Sequence, residues 1–300
     1  MIIASTHTLL DTPDGGVLGL HSYGVEDADL GSADRVVVVG GAFLTAAIYR
    51  PFCSMLAYKL GRGWAVDIYD RRGRGDSSLQ PEDYSMSTEI SDLAHVLRHT
   101  GAKNLMGHSL GGAVALNAVV AYQGDNPDRP EAEDPEIVPQ KLVVYDPAIN
   151  IDGSINTTWL PDFEKAVDER KYAKALTFVQ NQVKPSGSFS KIPHWLLTFL
   201  VAMTRPTKFG RLTRSLLPTA VGELRAALQE QAEATSFAGL PEGTHFMAGS
   251  LSADYFQDTA HRLHAVVEGS TFQLSPSSVH GAIPFMHPEV LTDMANYFRS

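Results

Sequence analysis

Cysteine is nearly absent. Cys53 is the only one in 300 residues, so no internal disulfide is possible, and a reducing compartment such as the cytoplasm is the expected setting. Basic residues are outnumbered: 24 Lys and Arg against 34 Asp and Glu leave a formal net charge of -10. A chain this acidic lacks the basic stripe that a nucleic-acid partner requires. Arginines do gather in "DRRGRGD" (Asp70–Asp76) and between Arg205 and Arg214, without reversing that balance. Long apolar runs are missing too. "IPHWLLTFLVAM" (Ile192–Met203) contains His194 and falls short of the roughly 18–20 residues a membrane span needs, so stable membrane insertion is not expected. The opening "MIIASTHTLLDTPDGG" has neither the basic start nor the apolar stretch of a cleaved signal. "VVVVGGAF" lacks the third glycine of a dinucleotide loop, no phosphate-binding loop is visible, and no Cys/His cluster has zinc spacing. No cofactor and no metal are expected.

What is present suits a packed interior: 44% of residues are hydrophobic and 19% charged. "ASTHTLL" and "VLGLHSY" flank the turn "DTPDGG" and read as a hairpin. "RVVVVGG" (Arg35–Gly41) and "GWAVDIYD" (Gly63–Asp70) read as strands buried on both faces. "STEISDLAHVLRHTGA" predicts a helix with Ser87 as N-cap, Ile90, Leu93 and Leu97 on one face, and Gly101 as its stop. "KNLMGH" and "KLVVYDPA" predict strands on either side of the alanine-rich helix "LGGAVALNAVVAY". Such alternation signals a parallel sheet covered by helices. It lapses from about Asn150 to Leu240, where helical pieces such as "LPDFEKAVDERKYAKALTFVQNQV" and "AVGELRAALQEQAEAT" replace strands. It resumes with "THFMAGS", the helix "DYFQDTAHRLHAVV", the strand "TFQL" and the helix "PEVLTDMANYF". "GDNPDRPEAEDPE" (Gly124–Glu136) reads as a solvated acidic loop.

"NLMGHSLGGAVAL" (Asn104–Leu116) places a serine between glycines where a strand gives way to a helix. Gly-x-Ser-x-Gly in that setting is a nucleophile elbow. The sharp reversal strains Ser109 and lifts its hydroxyl clear of the sheet, and small neighbours at Gly107, Gly111 and Gly112 keep strand and helix from colliding. The helix beginning at Leu110 aims free N–H groups and its positive end at the same place.

Taken with "VVVVGGAF", "VDIYDRRGRGDSS", "LVVYDPA" and the late "SVHGAIPFMHPEVL", in that order, the chain resembles the α/β-hydrolase family. The resemblance implies a mostly parallel central sheet with helices on both faces. It also implies a core domain from residues 1–149 and 241–300, and a helical lid inserted over 150–240. The family order of nucleophile, acid and histidine implies Ser109 as nucleophile and His280, after the last strand, as its base. His287 reads as structural, and alternation turns the His108 side chain away from Ser109. For the acid, the usual place holds Ser252, with Asp254 two residues on. Asp146, closing a strand, is preferred because a buried carboxylate needs a reason to be there, and Asp254 is the alternative. The oxyanion donors implied are the N–H groups of Leu110 and Ala42, with Phe43 the alternative to Ala42. Asp70 and Arg72 are expected to brace the site as an ion pair.

The resemblance thus implies a serine hydrolase that takes a small hydrophobic ester, thioester or carbon–carbon substrate through an acyl-enzyme on Ser109. The alternatives are a non-catalytic ligand-binding protein on a hydrolase scaffold, or a cofactor-free Ser/His enzyme such as an acyltransferase or oxygenase. Trp195, Leu196, Leu197, Phe199 and Leu200 are candidates either to line an apolar pocket or to fasten the lid to the core. An apolar lid face also permits association with a lipid surface.

Overall fold

The expected hairpin forms. β1 (Ile3–Asp11) and β2 (Val17–Val25) pair antiparallel, and a turn closed by the Thr12 and Gly15 N–H groups, each 2.9 Å from its acceptor, joins them. The computed structural model describes residues 3–25, 33–122, 138–184, 193–228 and 231–300. The acidic stretch Gly124–Glu136 lies outside these residues. Six further strands, β3 (Asp34–Val39), β4 (Trp64–Tyr69), β5 (Asn104–His108), β6 (Lys141–Tyr145), β7 (His245–Gly249) and β8 (Thr271–Ser275), complete one sheet. Its order is β1-β2-β4-β3-β5-β6-β7-β8. β2 meets β4 antiparallel, and every pairing from β4 to β8 is parallel.

The valine run of β3 is buried on both faces, and its residues alternate between two cores. Val36 and Val38 pack with α1 (Ala46–Leu60) and α10 (Pro288–Arg299). Val37 and Val39 pack with α2 (Met86–Thr100) and α3 (Leu110–Tyr122). Helices therefore cover both faces. Two local expectations shift. α2 starts two residues early: Ser85, not Ser87, is the N-cap, in a capping box with Thr88, while Gly101 ends the helix in the left-handed region as expected. α1 carries Pro51 inside it, a residue that ordinarily marks a boundary; burial of Tyr49, Phe52, Cys53 and Leu56 holds the helix together regardless.

Between β6 and β7 the chain forms α4 (Leu160–Asp168), α5 (Tyr172–Val183), α6 (His194–Met203), α7 (Lys208–Ser215) and α8 (Leu217–Leu228). The helical stretch read over Leu160–Val183 breaks at Arg170, whose φ is 57°. α8 packs onto α2 and α3 and sends Glu223 into the interior. There Glu223 lies 2.8 Å from Arg71, which also pairs with Glu89 at 2.7 Å, and it contacts Arg74 as well. All four side chains are buried. Breaking a buried ion cluster from one side is expensive, because the remaining charges stay desolvated. We expect Glu223→Ala to lower the urea-unfolding free energy by roughly 3–5 kcal/mol, measured by equilibrium denaturation.

Candidate active site

Ser109 sits where β5 turns into α3, with φ of 57°. A side chain costs energy in this region, and such strain persists only where surrounding structure enforces it. Here the enforcement is visible. The Ser109 N–H donates to Tyr145 O at 3.0 Å, while its carbonyl accepts from Gly112 at 2.9 Å and Ala148 at 3.0 Å. A Cβ on Gly107 would come within 2.7 Å of the Gly111 carbonyl and the Gly112 Cα, and one on Gly111 would strike the carbonyls of Val39 and Gly40. The glycines are what let strand and helix approach this closely.

The His280 Nε2 lies 3.0 Å from the Ser109 hydroxyl and its Nδ1 lies 3.1 Å from Asp146 Oδ2. The polypeptide thus brings together three residues spread over 172 positions. Asp146 directly follows β6 and is fully buried, again with a positive φ, 46°. Its Oδ1 accepts from the Gly249 N–H at 2.9 Å, and its Oδ2 also accepts from the Ser252 hydroxyl at 2.6 Å. Asp254 is exposed on the first turn of α9 (Asp254–His264), whereas Asp146 is the carboxylate that faces His280. Ser252, at the place where an aspartate was looked for, therefore donates to the carboxylate that faces the imidazole. The Phe256 ring stacks on the imidazole, centroids 4.0 Å apart and 10° from parallel, leaving it little rotational freedom. His287 caps α10, as its structural reading implied.

His108, expected to point away from Ser109, packs its ring by Tyr49 of α1 yet also borders the cavity of Ser109, with its centroid 5.0 Å from that of His280. Its Nδ1 lies 2.6 Å from the Tyr49 hydroxyl and its Nε2 3.2 Å from the His280 carbonyl. Burial, with a smaller contribution from His280, holds the His108 pKa well below the usual imidazole value, so the ring is neutral. Burial also keeps Tyr49 protonated, pushing its phenol far up. These states assign the protons: Tyr49 O–H donates to Nδ1, and Nε2–H donates to the His280 carbonyl. Tyr49 in turn accepts from the Gly41 N–H at 2.7 Å. One chain of hydrogen bonds thus runs from the loop after β3 to the backbone of His280. Tyr49→Phe leaves the Gly41 N–H and His108 Nδ1 without their partner, and we expect it to cost about 1–3 kcal/mol of stability by thermal or urea unfolding.

Phe43, in the loop after β3, also has a positive φ, 61°. The Arg74 guanidinium grips this loop by donating to the carbonyls of Gly41 and Leu44, each at 3.0 Å, on either side of Ala42 and Phe43. Leu110 is the first residue of α3, so its N–H precedes the helical ladder. Ala42, Phe43 and Leu110 all border the same cavity as Ser109 and His280. Asp70 and Arg72 do not pair with each other. Arg72 forks onto Asp92, both contacts at 2.8 Å, and reaches Asp14 at 2.7 Å; Asp70 accepts the Ala46 N–H at 2.7 Å at the start of α1. Neighbouring side chains at the end of β4 leave in different directions, and each finds its own partner.

The cavity holds about 420 Å³. Most of its wall is apolar, with Trp159, Leu176, Leu197, Leu224 and Tyr255 prominent, and much of it comes from the helices between β6 and β7. Of the α6 residues considered for this role only Leu197 lines it; Trp195, Phe199 and Leu200 are exposed. Among the described residues one group could offer ligands to a metal ion: His7, His21 and Asp76, on the β1–β2 hairpin and the loop after β4, with ligand atoms within 4.8 Å of one another.

A doubly covered, mostly parallel sheet, with a serine on a strained strand-to-helix bend beside a histidine from the far end of the chain, defines a hydrolase architecture. The family comparison agrees over residues 36–293: the chain belongs to the alpha/beta hydrolase family. Among solved structures it resembles an alpha/beta hydrolase from Sphaerobacter thermophilus, at a TM-score of 0.71 and 21% identity over 97% of this chain and all of that one. An esterase from Exiguobacterium antarcticum superposes at 0.65 with 17% identity, over 98% of this chain and all of that one. These likenesses are of fold. In sequence, protein phosphatase methylesterase 1 of Debaryomyces hansenii is 43% identical over 68 residues, which cover 20% of this chain and 16% of that protein.

Proposed function

We propose that the protein is a serine hydrolase that cleaves a small apolar ester or thioester, or a carbon–carbon bond next to a carbonyl, through an acyl-enzyme on Ser109. The observation that carries this reading is the unbroken hydrogen-bonded line from Ser109 through His280 to Asp146, opening on an apolar cavity. In the first half-reaction Ser109 Oγ bonds to the substrate carbonyl carbon while His280 Nε2 takes the hydroxyl proton. Asp146 holds the proton on Nδ1 and offsets the imidazolium charge. The carbonyl oxygen, now negative, is met by the N–H groups of Leu110 and Ala42, with Phe43 the alternative to Ala42. Collapse expels the leaving group, which takes the proton from His280. Water then repeats the sequence on the acyl-enzyme and frees Ser109.

In this reading residues 150–240 form a helical cap inserted into a core built from 1–149 and 241–300, and the cap supplies the apolar wall. The names of the Exiguobacterium esterase and the Debaryomyces methylesterase add support for ester chemistry. A fluorophosphonate probe tests the nucleophile. Stoichiometric labelling of Ser109 in folded protein is expected, and labelling lost on denaturation marks activation by the fold. Absence of labelling defeats the acyl-enzyme. A series of p-nitrophenyl esters of increasing chain length then reads the cavity: kcat/KM is expected to rise with acyl length until the cavity is full and to fall beyond it.

A further inference from the structure

From Pro193 to Leu217 the sequence carries four cations, Arg205, Lys208, Arg211 and Arg214, and no carboxylate, in a chain whose net charge is -10. The same stretch exposes the largest group of big apolar side chains among the described residues. Trp195, Phe199 and Met203 are spaced four apart on α6 and so form one strip; they are 71%, 59% and 62% exposed, figures far above those of ordinary surface hydrophobes in contact with a core. Thr198 and Ala202, beside that strip on the helix surface, border a cleft of about 1120 Å³ whose other walls carry Lys174, Arg205, Arg211 and Arg214. The only carboxylate paired with a cation of this cleft, among the described residues, is Glu169, on Lys171 at 2.8 Å. Burial, with a smaller contribution from the neighbouring Arg205, lowers the Arg214 pKa.

We propose that α6 and α7 form a peripheral docking surface for an anionic lipid membrane. Trp, Phe and Met protruding from a helix, with guanidinium groups alongside, match a fluid surface that closes around apolar side chains and presents phosphates at the level of the cations. A lipid surface fits better than an acidic protein, because the apolar strip projects outward and needs an occupant that shapes itself to it. The helices involved have a second face. Leu197 of α6, with Phe209 and Thr213 of α7, borders the cavity of Ser109, whereas Thr198, Arg211 and Arg214 of the same helices border the cationic cleft. Docking would set the cavity wall directly against the lipid phase, where apolar substrates concentrate. The surface itself does not depend on the chemistry of Ser109.

Co-sedimentation with phosphatidylcholine vesicles, and with equimolar phosphatidylcholine and phosphatidylglycerol vesicles, tests the proposal. Partitioning onto the anionic vesicles is expected to exceed that onto the neutral ones at least tenfold, and to weaken with added salt. Arg205→Gln/Arg211→Gln and Trp195→Ser/Phe199→Ser should each lower anionic partitioning about tenfold or more. Both variants should keep wild-type circular dichroism and wild-type turnover of a short soluble ester. No binding to either vesicle, or equal binding to both, overturns the proposal. So does displacement by inorganic phosphate beyond that by chloride of equal ionic strength, which would mark a soluble-phosphate site. A concentration-dependent dimer in sedimentation velocity that the Trp195→Ser/Phe199→Ser variant abolishes would reassign the surface to a second copy of the chain and overturn it equally.

Discussion

Ser109→Ala should lower kcat on p-nitrophenyl esters by roughly 10³- to 10⁶-fold while leaving KM within a few-fold of wild type. The substitution removes only the hydroxyl. The cavity wall is otherwise unchanged, so substrate binding should survive, and the proposed oxyanion donors at Leu110 and in the loop after β3 should still supply a residual rate over water. Stability is expected to hold or rise slightly, because alanine keeps the backbone bonds to Tyr145, Gly112 and Ala148 that fix the bend. Steady-state kinetics with thermal unfolding on the same preparation checks both parts. A variant with near-normal turnover would remove the nucleophile from the scheme, whereas tight small-molecule binding without turnover, unaffected by Ser109→Ala, would turn the reading to a ligand-binding protein.

Asp146→Asn is expected to cost a further large factor, roughly 10³- to 10⁴-fold in kcat, where Asp254→Asn stays within about twofold of wild type, as surface substitutions usually do. The asymmetry follows from the hydrogen bonds. Asp146 is an acceptor three times over, from Gly249 N–H, Ser252 O–H and His280 Nδ1–H. Asparagine can keep the bond from Gly249 through its carbonyl oxygen, but its amide then points donors at Ser252 and His280. An imidazole that must accept at Nδ1 carries its proton on Nε2 and cannot receive one from Ser109. The loss should therefore lie in kcat, with fluorophosphonate labelling slowed in parallel. Asp254 sits exposed on the first turn of α9, where a carboxylate favours the helix N-terminus.

The sheet and the bend were legible for a local reason. A solid β-branched run, a glycine-flanked serine and an alanine-rich helix follow one another within a few residues, so period and turn chemistry suffice. The sequence leaves two candidates for the carboxylate because its environment is assembled from strands far apart in sequence. β6 and β7 lie side by side in parallel register, and that adjacency brings Ser252 and the Gly249 N–H onto Asp146 across more than a hundred residues. A serine where an acid was sought is, in retrospect, the trace of that pairing. Tyr49, Arg74 and Glu223 left no such trace. A tyrosine near Pro51, an arginine in an arginine-rich loop and a glutamate in a helical stretch carry no local signal that sets them apart. Only their burial against one another distinguishes them. Asp70 and Arg72 show the opposite failure, where closeness in sequence suggests a bond but each side chain is taken by other partners.

The buried cluster under α8 carries one more implication. Arg74 has two duties, contacting Glu223 from the cap side and holding the carbonyls that flank Ala42 and Phe43. Thr219 and Gln80 fasten the same helix to the loop after β4. α8 therefore works as a fixed post. Lifting it would strand charges in the interior and slacken, in the same stroke, the loop that carries the proposed oxyanion donors Ala42 and Phe43. α6 and α7 lack such a tie: among the described residues no buried ion pair joins them to the sheet, although Leu197, Phe209 and Thr213 border the cavity.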